Sequence, residues 1–283
     1  MPSLLRDEIL KTSDVIVVKV GTNVLTHSDG LLNEERIALL TEDLCGLIAR
    51  KRRVVLVSSG AVGSGMGRLG LKERPTELSQ RQAVAAIGQG KLIETYERFL
   101  QKFGILGAQV LLTADDLSNR KRYLNARNTI RSLLDYGALP IINENDTVSI
   151  DELYTTFGDN DRLASLVANL FETPLLILLT DVDGLYDRDP ADPAASLVSV
   201  VDRWTPDLMK MVVDKHSKRS KGGMASKLKA AKIITESGGN VIIASGDKPG
   251  TLGEIFATKE TGTLFLTQNG YLKIGRASCR ERV

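Results

Sequence analysis

Six short apolar runs recur along the chain, rich in β-branched side chains and bounded by turn residues. They are Val15 to Val20, Val54 to Ser58, Ala108 to Thr113, Leu139 to Ile142, Leu175 to Thr180 and Asn240 to Ala244. Nearly continuous apolar runs of this length suit strands buried on both faces. Between most of them lie segments with helical spacing, at about Asn33 to Ala49, Ser79 to Lys102, Ser118 to Tyr136, Asp161 to Leu170 and Met224 to Ser237. This alternation predicts an α/β fold, a three-layer αβα sandwich whose central, mostly parallel sheet is covered by helices on both faces. Ligands of such sheets sit at the carboxyl ends of the strands. The stretch Thr147 to Phe157 reads as a β-hairpin projecting from that edge.

The residues that follow the strands are therefore the ones to inspect, and they are polar. Strand one ends in Lys19-Val20-Gly21-Thr22, strand two in Ser58-Ser59-Gly60-Ala61 and strand five in Thr180-Asp181. Past the fourth strand, Glu144, Asp146, Asp159 and Asp161 crowd around Asn143, Asn145 and Asn160. Clustered carboxylates repel one another unless an ammonium group, a lysine or a metal ion satisfies them. The same residues are ordinary turn formers and would equally suit a hairpin with Asn-Asp turns. Glycine after a strand lets backbone N–H groups approach an anion, and a neighbouring lysine adds positive charge. Lys221-Gly222-Gly223-Met224-Ala225-Ser226-Lys227 opens the last helix and reads as a phosphate cradle. Its alternative is a glycine loop capping an amphipathic helix that continues with Lys229 and Lys232.

Other signals exclude function classes. No G-x-x-x-x-G-K-[ST] loop is present, so any nucleotide is held differently. Gly65 to Gly70 matches G-x-G-x-x-G but begins seven residues beyond Ser58 and runs towards Pro75, which argues against a dinucleotide fold. Asp181-Val182-Asp183-Gly184 lacks the acidic positions of a calcium loop. Two cysteines and two histidines make neither a disulfide framework nor a zinc site. The run Arg50 to Arg53 suits a solvated helix end, and the run Lys215 to Lys221 lies beside the cradle and could attract nucleotide or form a surface loop. No apolar run reaches the roughly 20 residues that span a bilayer, and the acidic N-terminus lacks the apolar core of a signal peptide, so cytoplasmic location is expected. Residues 274–283 back-translate into a sequence resembling a common sequencing adapter, so a non-native tail is expected there. Its Arg276, Arg280 and Arg282 against Glu281 account for the whole formal net charge of +2. Residues 1–273 are then neutral, with no global attraction for nucleic acid or anionic membranes.

In order, VVKVGTNVLT, VLVSSGAVGSG, KRYLNARNT, PIINENDTV, FGDND, LLTDVDGLY and GGMASKLKAA resemble the amino acid kinase family, from about Val15 to Phe265. Lys-x-Gly-Thr at the first strand, in place of the Gly-Gly pair of acetylglutamate and aspartate kinases, favours the branch of glutamate 5-kinases. The kinase half of the pyrroline-5-carboxylate synthases shares this domain. The resemblance implies one kinase domain over 1–273: an amino-acid-binding lobe at about 1–172, a nucleotide-binding lobe at 173–265, and 266–273 as the start of a lost linker. It implies phosphorylation of the L-glutamate side-chain carboxylate by ATP with Mg2+. Lys19 and Lys227 match the family's phosphate-binding and transition-state-stabilising lysines, and Asp161 the aspartate that orients them. Ser59, Gly60, Asp146 and Asn160 match the glutamate site. Lys19, Gly21, Thr180, Asp181 and the segment Lys221, Gly222, Gly223, Met224, Ala225, Ser226 and Lys227 match the nucleotide site. No protein metal cage is expected, because the ion sits mainly on phosphate oxygens and water. Lys221 and Ser226 depart from the family, in which many members have threonine at both positions. Family members form homodimers or homotetramers and are commonly inhibited by proline at or near the glutamate site. Nucleic acid and membrane are not expected as partners. Two alternatives stay open: a kinase of another small carboxylate, and a non-catalytic sensor of amino acid or nucleotide.

Overall fold

The computed structural model describes residues 2–149, 160–205, 208 and 223–268. Asp159, Lys221, Gly222, the basic run from Lys215, the tail at 274–283 and most of the expected hairpin lie outside the described residues. Of that hairpin only Thr147 to Ser149 are described, at the end of a turn in which Val148 N–H and Ser149 N–H both donate to Asn145 O, at 3.2 and 3.1 Å.

The strands are β1 (Ile16–Val20), β2 (Val54–Ser58), β3 (Gly107–Leu112), β4 (Leu139–Glu144), β5 (Leu175–Thr180), β6 (Val200–Val201), β7 (Asn240–Ser245) and β8 (Thr263–Phe265). They form one eight-stranded sheet in the order β3-β4-β2-β1-β5-β7-β8-β6. The pairings from β3 through β7 are parallel, and only β7 with β8 is antiparallel. The expected mostly parallel sheet is thus observed. β1 sits in the middle: the chain leaves it towards β2 on one side and later returns to β5 on the other. That is the topological switch point, where a crevice opens beyond the strand ends.

The helices are α1 (Pro2–Thr12), α2 (Thr22–Leu25), α3 (Glu34–Ala49), α4 (Ala61–Leu69), α5 (Leu78–Leu100), α6 (Ala114–Ser118), α7 (Arg120–Asp135), α8 (Asn160–Ala168), α9 (Met224–Glu236) and α10 (Thr251–Phe256). Alternate strand residues feed two cores. Ile16, Val18, Leu56, Ile141 and Ile177 pack with Leu44 of α3, Leu92 of α5 and Ile255 of α10. Val17, Val57, Ile142 and Leu178 pack with Ile130 of α7, Val167 of α8 and Leu228 of α9. Two dry layers on one sheet make the αβα sandwich. The cap residues follow the sequence chemistry: Asn33 Oδ1 accepts from Arg36 N–H, and Thr113 and Asp116 form a capping box on α6.

Two elements differ from the sequence pattern. β4 runs two residues beyond Ile142, carrying Asn143 and Glu144 as part of the strand. The stretch from Ala61 is a helix although three of its nine residues are glycine, a poor helix former. Packing supplies the reason. A β-carbon on Gly88 of α5 would collide with Ala61 O and Gly65 N, and one on Gly65 would collide with Val84 O. Glycine at both positions lets the two helix backbones touch. The Gly65 to Gly70 segment is therefore helix ending in a left-handed Gly70 cap, not a nucleotide turn.

Gly88→Ala should destabilise the protein by about 1–3 kcal/mol through overpacking. Gly90→Ala, two residues along the same helix with open space at its β-carbon, should stabilise by roughly 0.5–1 kcal/mol. Urea denaturation of both variants reads the difference, and a Gly88→Ala protein as stable as wild type would contradict the backbone contact.

Candidate active site

Strand parity places the first functional side chain. Val15 and Val17 face the layer of α8 and α9, so Lys19, two residues on, faces it too. α8 begins at the sheet edge and carries Asp161 in its first turn, where a carboxylate also complements the helix dipole. α9 brings Lys227 one turn inside its N-terminus. The three side chains meet: Lys19 Nζ lies 2.5 Å from Asp161 Oδ1, and Lys227 Nζ lies 3.1 Å from Asp161 Oδ2. Asp161 is fully buried and both lysines nearly so. Burial pushes the Asp161 carboxyl up, but the charges of Lys19 and then Lys227, with their hydrogen bonds, outweigh it and hold the group below the usual carboxylate range. The trio by itself carries one net positive charge.

Next to it, at the end of β5, Asp181 is held from both oxygens. Thr180 Oγ1 donates to Oδ1 at 3.0 Å and Asn23 Nδ2 donates to Oδ2 at 2.7 Å. Burial raises the Asp181 carboxyl, and the bonds from Asn23 and Thr180 turn the balance, lowering it. Gly21 N–H donates to Leu179 O at 3.2 Å, so that amide is engaged within the sheet edge.

On the other side, amides and hydroxyls form a connected set. Gly60, at φ +106°, turns the chain from β2 into α4, a conformation that favours glycine. Asn160, the first residue of α8, donates from Nδ2 to Ser58 O at 2.9 Å, Ser59 Oγ at 3.0 Å and Asn143 Oδ1 at 3.1 Å. Ser58 Oγ donates to Ser59 O at 2.9 Å and meets the Tyr96 hydroxyl at 2.9 Å. Because the single serine proton is engaged on Ser59 O, Tyr96 is the donor in that second bond.

A cavity of about 310 Å³ opens over these groups, within the size range of small-molecule sites. Lys19, Gly21, Thr180, Asp181 and Lys227 line it from β1, β5 and α9. Ser59, Gly60, Asp146 and Asn160 line it from β2, β4 and their following elements. Asp161 sits behind the lysines. Of the glycine-rich segment, Gly223, Met224, Ala225 and Ser226 do not line the cavity, and Lys221 and Gly222 lie outside the described residues. Asn23, Arg81 and Gln82 also line it and were not singled out from the sequence. Asn143 belonged to the acidic cluster, but its role as a joint between strands was not legible there. A hydrogen-bonding residue two places past Gly21 was the only available signal for Asn23.

The profile of the amino acid kinase family matches residues 14–245. A glutamate 5-kinase of Caldanaerobacter subterraneus subsp. tengcongensis is 49% identical over 89% of this chain and 67% of its own length. One from Clostridium acetobutylicum is 43% identical over 93% of this chain and 98% of its own length. Among solved structures, the UMP kinase of Ureaplasma parvum superposes with TM-score 0.61 at 17% identity over 90% of this chain and 99% of that one. The carbamate kinase of Giardia lamblia bound to AMP-PNP does so with TM-score 0.63 at 16% identity over 91% and 99%. These two share the fold, whereas the two glutamate 5-kinases share 43–49% of the sequence over 89–93% of this chain. The chain belongs to the amino acid kinase family, within its glutamate 5-kinase branch.

Proposed function

We propose that this chain transfers the γ-phosphoryl group of ATP to the side-chain carboxylate of L-glutamate, giving γ-glutamyl phosphate, the first step of proline biosynthesis. The observation that carries the reading is one buried carboxylate holding two lysines at the edge of a cavity whose other wall combines amides and hydroxyls with Asp146 and Arg81. In the transfer, a glutamate carboxylate oxygen forms a bond to the γ-phosphorus as the bond to the bridging oxygen breaks, and ADP leaves. The nucleophile is already ionised, so no general base is needed. Negative charge spread over the phosphoryl oxygens needs cations and alignment instead. Lys19 and Lys227 supply the cations, and Asp161 fixes both ammonium groups so that they need no reorganisation during transfer.

The amino acid occupies the lobe at about 1–172 and the nucleotide that at 173–265. Asp146 accepts from the substrate ammonium, while Ser59 and the backbone at Gly60 donate to a carboxylate. Thr180, Asp181 and the segment 221–227 border the nucleotide. Among the described residues no group of three or more His, Cys, Asp or Glu side chains can hold a metal. Mg2+ would rest mainly on the nucleotide's own phosphate oxygens and water, where it would neutralise phosphate charge. The same reading makes the protein a cytoplasmic homodimer or homotetramer inhibited by proline, with no nucleic acid or membrane partner. No described helix is long and apolar enough to cross a membrane.

Incubation with ATP and magnesium, trapping any acyl phosphate with hydroxylamine, should give a hydroxamate with glutamate and none with aspartate, acetylglutamate or carbamate. Product from another acceptor alone would overturn the substrate. Lys227→Ala should abolish measurable turnover, a fall of at least about 10²–10³-fold, while equilibrium dialysis still detects glutamate binding; persisting turnover would remove Lys227 from the mechanism.

Asp146→Ala should raise the glutamate KM about 10–100-fold, the worth of a charge-assisted hydrogen bond, and leave the ATP KM unchanged. An unaltered glutamate KM would move the substrate ammonium elsewhere.

Asp161→Asn leaves two buried cations without their counter-charge and should cost about 3–5 kcal/mol at neutral pH. The native Asp161 carboxyl is held below its unfolded value of about 3.9. Its contribution is therefore fully present above that value and lost as pH falls through the lower folded one. Denaturation curves should show a gap between wild type and variant that is flat from pH 7 to about 5 and closes progressively below about 4. A gap closing between pH 7 and 5 would mean that the lysines do not control Asp161.

A further inference from the structure

The buried face of α5 is apolar through Val84, Ala85, Leu92 and Leu100, with one amide set into it: Gln89, at 9% exposure. Gln89 Oε1 accepts from Asn143 Nδ2 at 2.9 Å. Its own Nε2 is buried with no hydrogen-bond partner among the described residues. A half-satisfied amide in a core is unfavourable, and leucine or methionine would avoid the cost, so the acceptor oxygen must answer a need elsewhere.

That need can be traced bond by bond, because main-chain groups fix the polarity. Glu144 N–H can only donate, and it donates to Asn143 Oδ1 at 2.9 Å. Asn143 Nδ2 is thereby turned towards α5, where only an acceptor will satisfy it. Asn143 Oδ1 in turn takes Asn160 Nδ2, and Ser58 O, which can only accept, takes the same nitrogen. With Nδ2 consumed on these acceptors and on Ser59 Oγ, Asn160 presents Oδ1, which can only accept, as its other end. Ser59 Oγ, already accepting, keeps its proton to donate.

We infer that Gln89 is a positioning residue that sets the donor and acceptor polarity of the amino-acid site through Asn143. Asn160 Oδ1 joins Asp146 in accepting from an α-ammonium, and Ser59 donates to a carboxylate. Tyr96, two turns further along α5, braces the end of the neighbouring strand, β2, through Ser58. α5 thus supports the site from behind without touching the cavity through either side chain. Removing the Gln89 oxygen frees the Asn143 amide to turn, and a turned amide opposes its nitrogen to the nitrogen of Asn160.

This role presupposes glutamate as the acceptor, so wild-type hydroxamate formation with glutamate is measured first; its absence sinks both readings. Gln89→Met, close in volume but without the oxygen, should raise the glutamate KM about tenfold with the ATP KM held within about twofold. It should also narrow the preference for glutamate over glutarate, which lacks the ammonium. Gln89→Glu, which burial favours as the neutral acid, keeps a carbonyl acceptor for Asn143 Nδ2 and puts a hydroxyl where Nε2 stood, and its glutamate KM should stay within about threefold of wild type. In an Asn143→Ala background, Gln89→Met should add no further rise, because the two act through one bond. An unchanged glutamate KM in Gln89→Met would overturn the inference. So would parallel rises in both KM values with a lowered Tm, independent effects in the double variant, or a tenfold rise in Gln89→Glu, which remains decisive if Gln89→Met does not fold.

Discussion

A carboxylate with no solvent exposure, pinned between two ammonium groups, is the constraint on which the rest of the site depends. Asp161 reaches Lys19 from the first strand and Lys227 from the last long helix, so elements from both ends of the chain converge on one residue at its centre. An arrangement of this kind is a poor way to gain stability. Desolvating three charges is expensive, and an apolar triplet of similar volume would serve the core at least as well. What the ion pairs provide is fixed geometry: two cations aimed at the cavity edge by a counter-charge that stays ionised. The sheet makes this possible. β1 lies at the switch point, and strand parity turns Lys19 into the layer that holds α8 and α9.

Around that centre the site divides its work by chemical type. Lys19, Lys227 and Asp181 gather at the ends of β1 and β5 and at α9, the side proposed for the phosphates. Beyond β2 and β4, the side proposed for the amino acid, the amides and hydroxyls of Ser59, Asn160 and Asn143 form a connected set beside Asp146. The division fits the physics of each task. Charge stabilisation tolerates some freedom of direction, whereas discrimination between an ammonium and a carboxylate requires each hydrogen bond to have a set polarity. A network of amides anchored on main-chain N–H and C=O groups provides that polarity without adding net charge.

How far the sequence revealed this depends on the range of the interaction. Buried parallel strands are legible because nearly every residue of Val54 to Ser58 or Leu175 to Thr180 is apolar, and the polar residues that follow mark the strand ends. Lys19, Asp161 and Lys227 were legible as motif positions, and the strand-end rule agreed with them. Helix α4 was hidden because its glycines argue against a helix locally and are explained only by the neighbouring backbone of α5. β6 and β8, two and three residues long, are too short to give a pattern. Asn23 and Gln89 were hidden for a further reason: a hydrogen bond between residues far apart in sequence leaves no periodic trace. Gln89 did leave a faint one, a polar residue in the stripe of Val84, Ala85, Leu92 and Tyr96, but the stripe alone does not name its partner.

The same reasoning separates what the fold decides from what the side chains decide. A UMP kinase and a carbamate kinase share this architecture at 16–17% identity, so the sheet and its switch point do not by themselves choose the phosphoryl acceptor. They provide a place where strand ends from both halves of the molecule face one cavity. At the edge beyond β2 and β4, Asn143 and Ser59 connect to Asp161 through Asn160, its neighbour in α8. That joint has a physical consequence. The first turn of α8 must keep one register, since a slip would move Asn160 off its three acceptors and Asp161 off its two lysines together. Acceptor recognition and charge placement are therefore coupled through the start of one helix.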